Sequence, residues 1–152
     1  MRATLCTLAA LALLAGCGSG SDRLSHGAYE QKLQSIGVDV KDALTGPSVD
    51  NSKKPSEIAD QIEALRPRLE RAADDVDDLS PPDDAETAND ELARALHQFD
   101  SGFASLADSV RTTDIAGTRD ATKRLQEAAT LARIAVTSLE TKGYDLGAFG
   151  SQ

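Results

Sequence analysis

Residues 70–100 read ERAADDVDDLSPPDDAETANDELARALHQFD, two helical runs divided by a double proline. On each side of the prolines, apolar residues recur every three or four positions, which is the period of a helix with one buried face. Pro81 and Pro82 cannot continue the first helix, but prolines suit the start of the next one, and the acidic residues that follow suit its positive end. The stretch therefore predicts two helices joined by a short turn, which makes them antiparallel neighbours.

The first of these helices begins upstream at Ser56, which we expect to be its N-cap, with Glu57 in the first turn. Pro67 interrupts the run but lies about 180° around the helix from Ile58, on the solvent side, where a proline bends a helix around its core. Because the apolar phase continues, we predict one kinked helix; the alternative is two helices meeting at Arg66. The apolar face consists of Ile58, Ile62, Leu65, Leu69, Ala72, Val76 and Leu79.

The same period predicts three further helices. The first runs from about Ser25 to Leu44, the one after the double proline ends at about Val110, and the last runs from about Thr113 to Lys142. No strand pattern competes, so we predict an all-α fold, an antiparallel up-down four-helix bundle. The inward faces are, in chain order, Tyr29, Leu33, Ile36, Val40 and Ala43 or Leu44; Ala88, Leu92, Leu96, Phe99, Phe103, Leu106 and Val110; and Ala121, Leu125, Ala128, Ala132, Val136 and Leu139.

The chain closes with a helix cap and a short tail. Gly143 after Lys142 is typical of a helix C-terminus, with a cation near the negative end and a glycine for the left-handed cap. Tyr144, Leu146 and Phe149 give the tail three apolar anchors. The predicted bundle domain with this tail covers residues 25–152.

The N-terminal segment has the composition of an export signal. Met1 and Arg2 form a minimal positive region, and residues 3–15 carry no charge. Thirteen residues give roughly 20 Å of helix, too short for a hydrocarbon core of about 30 Å but typical of a signal-peptide core. The alternative, a buried N-terminal helix, is disfavoured because the stretch has no polar face.

Leu14-Ala15-Gly16-Cys17, which closes this segment, resembles the lipobox of bacterial lipoproteins at all four positions. The resemblance implies a diacylglyceryl group on the Cys17 sulfur and removal of residues 1–16. Two acyl chains give stable anchoring, so the protein would be held on the outer face of the cell membrane. Residues 17–24 would then be the lipidated cysteine and a flexible, Gly- and Ser-rich tether.

The rest of the chain is similar to small uncharacterised lipoproteins of actinobacterial type. The similarity lies in the Pro81-Pro82 break, the long Ala-rich helices and the closing Lys-Gly-Tyr-Asp-Leu-Gly of residues 142–147. It assigns no functional residue.

Charge and cysteine content narrow the possible partners. Arg2 is the only charged residue of the leader, so its removal leaves a strongly acidic chain, which argues against a nucleic-acid partner and against lying flat on anionic lipid. Cys6 would leave with the leader and Cys17 would carry lipid. No thiol would remain for a disulfide, a metal site or a nucleophile.

The two histidines do not indicate a catalytic or metal site. Di-iron helical bundles use Glu-x-x-His pairs, whereas Arg23 and Arg94 stand three residues before His26 and His97. We expect His97 on a polar helix face and His26 at an edge of the bundle. No triad with a serine and a carboxylate is identifiable. We therefore expect no catalytic residue, no cofactor and no metal ligand.

Two surface features remain as candidate sites. An acidic cluster surrounds the double proline, and we expect a solvated cap, the alternative being a cation site. Ile134 lies on the polar side of the last helix, where it is either exposed without meaning, covered by the tail, or part of a partner-facing patch. The acidic cluster consists of Asp74, Asp75, Asp77, Asp78, Asp83, Asp84, Glu86, Asp90 and Glu91.

These observations support three hypotheses about function. The first is a non-enzymatic, membrane-anchored module that binds an envelope protein or another envelope component. The second is a small-ligand or cation binder, which a cavity within the bundle would favour. The third is a hydrolase, which would need a buried serine or histidine with a carboxylate partner. The sequence does not predict the oligomeric state.

Overall fold

The computed structural model describes residues 23–45, 53–147 and 149. These residues form helices, turns and irregular segments without a strand, and the predicted helical bundle is confirmed. The second of its four rods is divided in two. The helices are α1 (His26–Leu44), α2 (Pro55–Glu63), α3 (Arg66–Asp77), α4 (Glu86–Arg111) and α5 (Ile115–Thr141).

Two predicted helix ends are confirmed by their caps. The Ser25 hydroxyl accepts a hydrogen bond from the backbone N–H of Ala28 at 3.4 Å and so caps α1. After α5, Gly143 has a φ of 91°, the left-handed conformation that glycine adopts most easily. The start of α5 has a cap of its own, because the Asp114 carboxylate accepts from the N–H of Gly117 at 3.0 Å.

The predicted N-cap at Ser56 is wrong. Pro55 is already the first helical residue, because its fixed φ suits the first turn, and Lys54 takes the cap position. The Glu57 carboxylate accepts from the backbone N–H of Lys54 at 3.0 Å, which is the bond that the third helical residue makes back to the N-cap in a capping box.

The single kinked helix predicted through Pro67 is also wrong, and the alternative of two helices meeting at Arg66 is correct. The break lies at Ala64 and Leu65, whose dihedrals stay in the right-handed region. Pro67 therefore falls in the first turn of α3, where a missing N–H leaves no helical bond unmade. Arg66 closes the break with two hydrogen bonds to Asp100 of α4, at 3.0 and 3.2 Å.

The long helix α4 is the centre of the bundle. It packs along α5 over much of its length, against α3 and against α2, while α1 packs on α3. Next to α2, a smaller core joins Ala59 and Ile62 to Ala107, with Phe103 against both cores. The largest fully buried side chains of the main core are Tyr29, Leu33, Leu69, Val76, Leu92, Leu96, Leu139 and Leu146.

Small residues bring α4 and α5 close together. A Cβ at Gly102 would lie 2.7 Å from Cδ2 of Leu125, so α5 occupies the space that a side chain would need. The fully buried residues of α5 are mostly alanines, namely Ala121, Ala128 and Ala135. Leu125, Ala132 and Val136, which were predicted to face inward, are only half-buried, because α4 is the one described helix that packs closely on α5.

The tail fastens α1 to the end of α5. Tyr144 and Leu146 are buried and Phe149 is half-buried, so all three predicted anchors are confirmed. The Gln34 amide donates to the Asp145 carbonyl at 3.0 Å, and the Asp145 N–H donates to the Glu30 carboxylate at 2.8 Å. Within the described ranges, none of the helices combines the length and apolarity that crossing a bilayer would take.

Candidate functional site

The predicted lipid-attachment residue Cys17 lies outside the described residues, as does the whole of the leader. The first described residues nevertheless locate the end of the tether. Leu24 donates its N–H to the Ser80 carbonyl at 2.7 Å, and Arg23 donates to the Pro81 carbonyl at 2.9 Å. The chain therefore enters the bundle beside the double proline, at the end that carries the acidic cluster.

Part of the acidic cluster is neutralised by Arg23. Its guanidinium lies 2.8 Å from the carboxylate of Asp83 and 3.0 Å from that of Glu86. Lys142 reaches the backbone carbonyl of Asp84 from the end of α5. In the part of the chain that the structure describes, no three His, Cys, Asp or Glu side chains converge as they would around a metal ion. The cluster is spread over an exposed end of the bundle.

His97 lies on an exposed face of α4, as predicted. Its Nε2 is 2.7 Å from a carboxylate oxygen of Asp77 on α3. Ser101 follows one turn later, and the three residues line a shallow surface depression. They do not form a nucleophilic triad, because the carboxylate holds Nε2, the ring nitrogen that faces the serine in such triads, and no hydrogen bond joins His97 to Ser101 among the described groups.

His26 lies at the edge of the bundle, as predicted. Its ring stacks on that of Tyr144 with the centroids 4.0 Å apart, and Nδ1 lies 3.6 Å from the Glu30 carboxylate. Tyr144 in turn meets Tyr29 edge to face. The histidine therefore contributes to the contact between the tail and α1.

A buried polar pair crosses the core between α1 and α4. The hydroxyl of Tyr29 donates to the side-chain oxygen of Asn89 at 3.0 Å, and the Asn89 amide donates to the carbonyl of Val76 at 3.1 Å. Burial raises the pKa of Tyr29 above its ordinary range, with smaller contributions from Tyr144 and Asp90. All three helices that meet here are thus joined by satisfied hydrogen bonds, which is a structural role.

An apolar cleft lies between α1 and α5, with a volume of about 450 Å³. α4 forms its floor, α1 and α5 form its walls, and Phe149 of the tail is part of its lining. Thr130, Arg133, Thr137 and Glu140 of α5 supply its polar lining. The apolar lining consists of Val40, Leu44, Leu92, Leu96, Phe99, Ala129, Ala132, Val136 and Phe149.

The cleft follows from how the two wall helices are held. In the described ranges, α1 packs on α3 and makes no close backbone contact with α5, so only the tail joins the two walls at one end. The α5 wall is built from short side chains such as Ala129 and Ala132, which do not fill the gap. The sequence analysis did not predict this site. The alanine-rich face of the last helix was a signal for it, because short side chains either let a neighbouring helix pack very closely or leave a space between the two helices.

Ile134 lies on the outer face of α5, with 53% of its surface exposed. The tail does not cover it, because Asp145 and the residues after it run along α1 instead. Beside Ile134 is a second, shallow depression lined by polar residues of α5 and by Lys142. The interpretation of Ile134 as covered by the tail is therefore wrong. Its exposure is compatible with the other two interpretations, an exposed residue without a function and part of a partner-facing patch.

Comparison with models of known protein families finds no match, and searches of curated proteins and of solved structures find no significant similarity.

Proposed function

We propose that the protein is a bacterial lipoprotein, anchored by lipid on Cys17 to the outer face of the cell membrane, whose helical body binds an envelope component without catalysing a reaction. The observation that carries this proposal is the run Leu14-Ala15-Gly16-Cys17 at the end of an uncharged segment of signal-peptide length. The helical body then acts where the anchor holds it.

The entry point of the chain supports this arrangement. Five residues separate Cys17 from Arg23, and they span at most roughly 18 Å when extended. Arg23 is fixed by its ion pairs beside the double proline, so the acidic end of the bundle would be the end nearest the membrane. Like charge would keep that end from lying on anionic lipid and would leave the outer faces of the bundle available to a partner.

Metabolic labelling with a radioactive fatty acid tests the anchor. The wild-type chain should take up label and sediment with membranes, and Cys17→Ser should abolish both. Cys6→Ser is the matched control, because Cys6 lies within the leader and its loss should leave labelling unchanged. Label retained by Cys17→Ser would refute the anchor and with it the proposed location.

The cleft between α1 and α5 supports a second candidate function, the binding of a small ligand. Its volume of about 450 Å³ falls in the range of small-molecule sites, roughly 300–1,000 Å³, and its lining is mostly apolar with a few polar groups, as is usual for such sites. A ligand that fills the cleft would bridge α1 and α5 and raise the melting temperature of the protein. Thermal melting against a panel of small apolar compounds tests this candidate independently of the anchor.

A further inference from the structure

The outer face of α5 is exposed along the whole helix, from Ile115 to Thr141. Among the described helices, only α4 packs closely on α5, and the buried residues Ala121, Ala128 and Ala135 mark the side that faces it. With 3.6 residues per turn, ten residues lie roughly 140–240° around the helix from Ala128, and all ten are exposed. These ten residues form the outer face of α5.

The outer face of α5 is positively charged. Arg119, Lys123 and Arg133 lie on it, and its other residues are isoleucine, alanine, glutamine and threonine. The three carboxylates of α5 lie on the flanks of this face, and one of them, that of Glu127, is 3.8 Å from Lys123. The face therefore presents a row of cations to whatever lies against it.

This charge is opposite in sign to that of the other helices. α5 carries four cations and three carboxylates, whereas carboxylates outnumber cations in each of α1, α2, α3 and α4. The net charge of the whole chain predicts repulsion from anionic lipid, but charges farther apart than a Debye length of about 8 Å are largely screened. With the outer face of α5 on the lipid, the carboxylates of α3 would be more than a helix diameter, about 10 Å, from the surface.

The same face carries exposed apolar side chains. Four large apolar side chains are exposed in the part of the chain that the structure describes, and Ile115 and Ile134 are two of them. Isoleucines on a membrane-facing helix enter the boundary between head groups and acyl chains, while lysines and arginines beside them contact anionic head groups. The outer face of α5 thus combines the two kinds of side chain that bind an anionic bilayer.

The tether ends beside this helix. Lys142, which follows α5, reaches the backbone carbonyl of Asp84, and the Arg23 guanidinium is 2.8 Å from the carboxylate of Asp83, the preceding residue. The five residues between Cys17 and Arg23 span up to roughly 18 Å. A chain anchored by lipid on Cys17 can therefore bring α5 down onto the membrane.

We propose that the outer face of α5 lies on an anionic lipid surface, with Arg119, Lys123 and Arg133 at the head groups and Ile115 and Ile134 between them. This inference rests on the anchor of the proposed function and names the envelope component as anionic phospholipid. The observations that carry it are the positive sign of this face, its two exposed isoleucines and the position of the tether.

Fluorescence quenching in vesicles tests the contact with the full, lipidated chain. Because Cys17 carries lipid and Cys6 leaves with the leader, a cysteine introduced at Thr137 is the only free thiol and accepts a fluorescent dye. In vesicles of equal parts phosphatidylglycerol and phosphatidylcholine, a nitroxide on the lipid acyl chains should quench the dye on Thr137→Cys. Ser101→Cys, on the exposed face of α4 that borders α3, is the matched control and should stay unquenched.

Charge substitutions test the basis of the contact. Arg133→Gln should lower the ratio of lipid-bound to free helical bodies about fivefold, the loss expected for one cation near an anionic surface. Arg71→Gln removes the same charge from an exposed position on α3 and should leave the quenching unchanged. Equal quenching in phosphatidylcholine alone would overturn the assignment of an anionic surface.

The vesicles also separate this inference from the anchor. Protein that floats with the vesicles while the dye on Thr137→Cys stays unquenched would overturn the lipid contact and leave the anchor in place. Quenching of Ser101→Cys as strong as that of Thr137→Cys would overturn the orientation, because the two residues lie on different sides of the bundle. Protein that does not float with the vesicles would overturn the anchor and this inference together.

Discussion

The hydroxyl of Tyr144 donates a 2.8 Å hydrogen bond to the carboxylate of Asp84. The bond joins the residue that follows the cap of α5 to the turn that precedes α4, so the two ends of the α4–α5 hairpin are held at one place. Burial, followed by the hydrogen bond and charge of Asp84, raises the pKa of Tyr144 to about 12. The same ring stacks on His26, which extends the junction to α1.

This raised pKa predicts a loss of stability in alkali. In the unfolded chain a tyrosine ionises near its ordinary value of about 10, whereas in the folded protein Tyr144 keeps its proton until about 12. The unfolded state therefore holds fewer protons above pH 10, and the free energy of unfolding should fall as pH rises between about 10 and 12. Below pH 10 the residue should cause no pH dependence.

Tyrosinate absorbance checks this prediction directly, because the chain has two tyrosines and no tryptophan. The pKa of Tyr29 is raised as well, so both rings should ionise together with unfolding rather than near pH 10. Tyr144→Phe should lower stability at neutral pH by about 1 kcal/mol and weaken the alkaline dependence. A titration of both rings near pH 10 in a chain that stays helical by circular dichroism would contradict the prediction.

The helices could be predicted from the sequence because each has a continuous apolar period and local signals at its ends. Ser25 and Gly143 act within one turn of their own helix, so their roles do not depend on the rest of the fold. The prediction of Ser56 as an N-cap was wrong for an equally local reason, because the adjacent Pro55 occupies the first helical position. Pro67 acted as the start of a new helix rather than as a kink.

The cleft could not be predicted in the same way. A periodic pattern identifies which face of a helix is apolar, but it contains no information on the distance between two such faces. Val40 and Val136 belong to inward faces that the pattern identifies correctly, yet they line a gap because α1 packs on α3. The bond between Tyr29 and Asn89 joins residues that are 60 positions apart, and that pairing is likewise set by tertiary packing.

Asn89 should be the polar residue whose loss costs most stability. It is only 3% exposed, and it satisfies both the Tyr29 hydroxyl and the Val76 carbonyl. Asn89→Ala would leave the Tyr29 hydroxyl without its partner in the core and would remove one of the bonds to the Val76 carbonyl, which keeps the bond from the Leu79 N–H at 3.2 Å. We expect a loss of about 2–3 kcal/mol in urea unfolding. Tyr29→Phe leaves the bond to Val76 in place and should cost less, about 1–2 kcal/mol. A smaller effect for Asn89→Ala than for Tyr29→Phe would show that the bond to Val76 contributes nothing.

Gly102 should tolerate alanine poorly, although alanine is the better helix former. The added methyl would lie 2.7 Å from Cδ2 and 3.0 Å from Cγ of Leu125, so α5 would have to move or Leu125 change rotamer. Overpacking of this kind costs about 1–3 kcal/mol, more than the helix-propensity gain of up to about 1 kcal/mol.

Gly27→Ala is the matched control for this substitution. Nothing lies within 4 Å of a Cβ at Gly27, so the change should stabilise the protein by about 0.5 kcal/mol. Urea unfolding of the two variants should therefore give shifts of opposite sign. Stabilisation by Gly102→Ala as large as that by Gly27→Ala would mean that α4 and α5 are farther apart than the structure places them.

A substitution at Ile134 tests the proposed interaction with an envelope partner without changing the stability of the helical body. Because the side chain is 53% exposed and outside both core clusters, Ile134→Glu should change the free energy of unfolding by no more than about 0.5 kcal/mol. If α5 presents its outer face to an envelope partner, the same substitution should remove that partner from crosslinks formed on intact cells, because it places a charge in an apolar contact. Ile115→Glu, which alters a still more exposed residue at the other end of α5, is the control and should leave the crosslinks unchanged. Crosslinks that survive Ile134→Glu would place the partner on another face of the bundle, and crosslinks lost in both variants would show that added charge alone disrupts the contact.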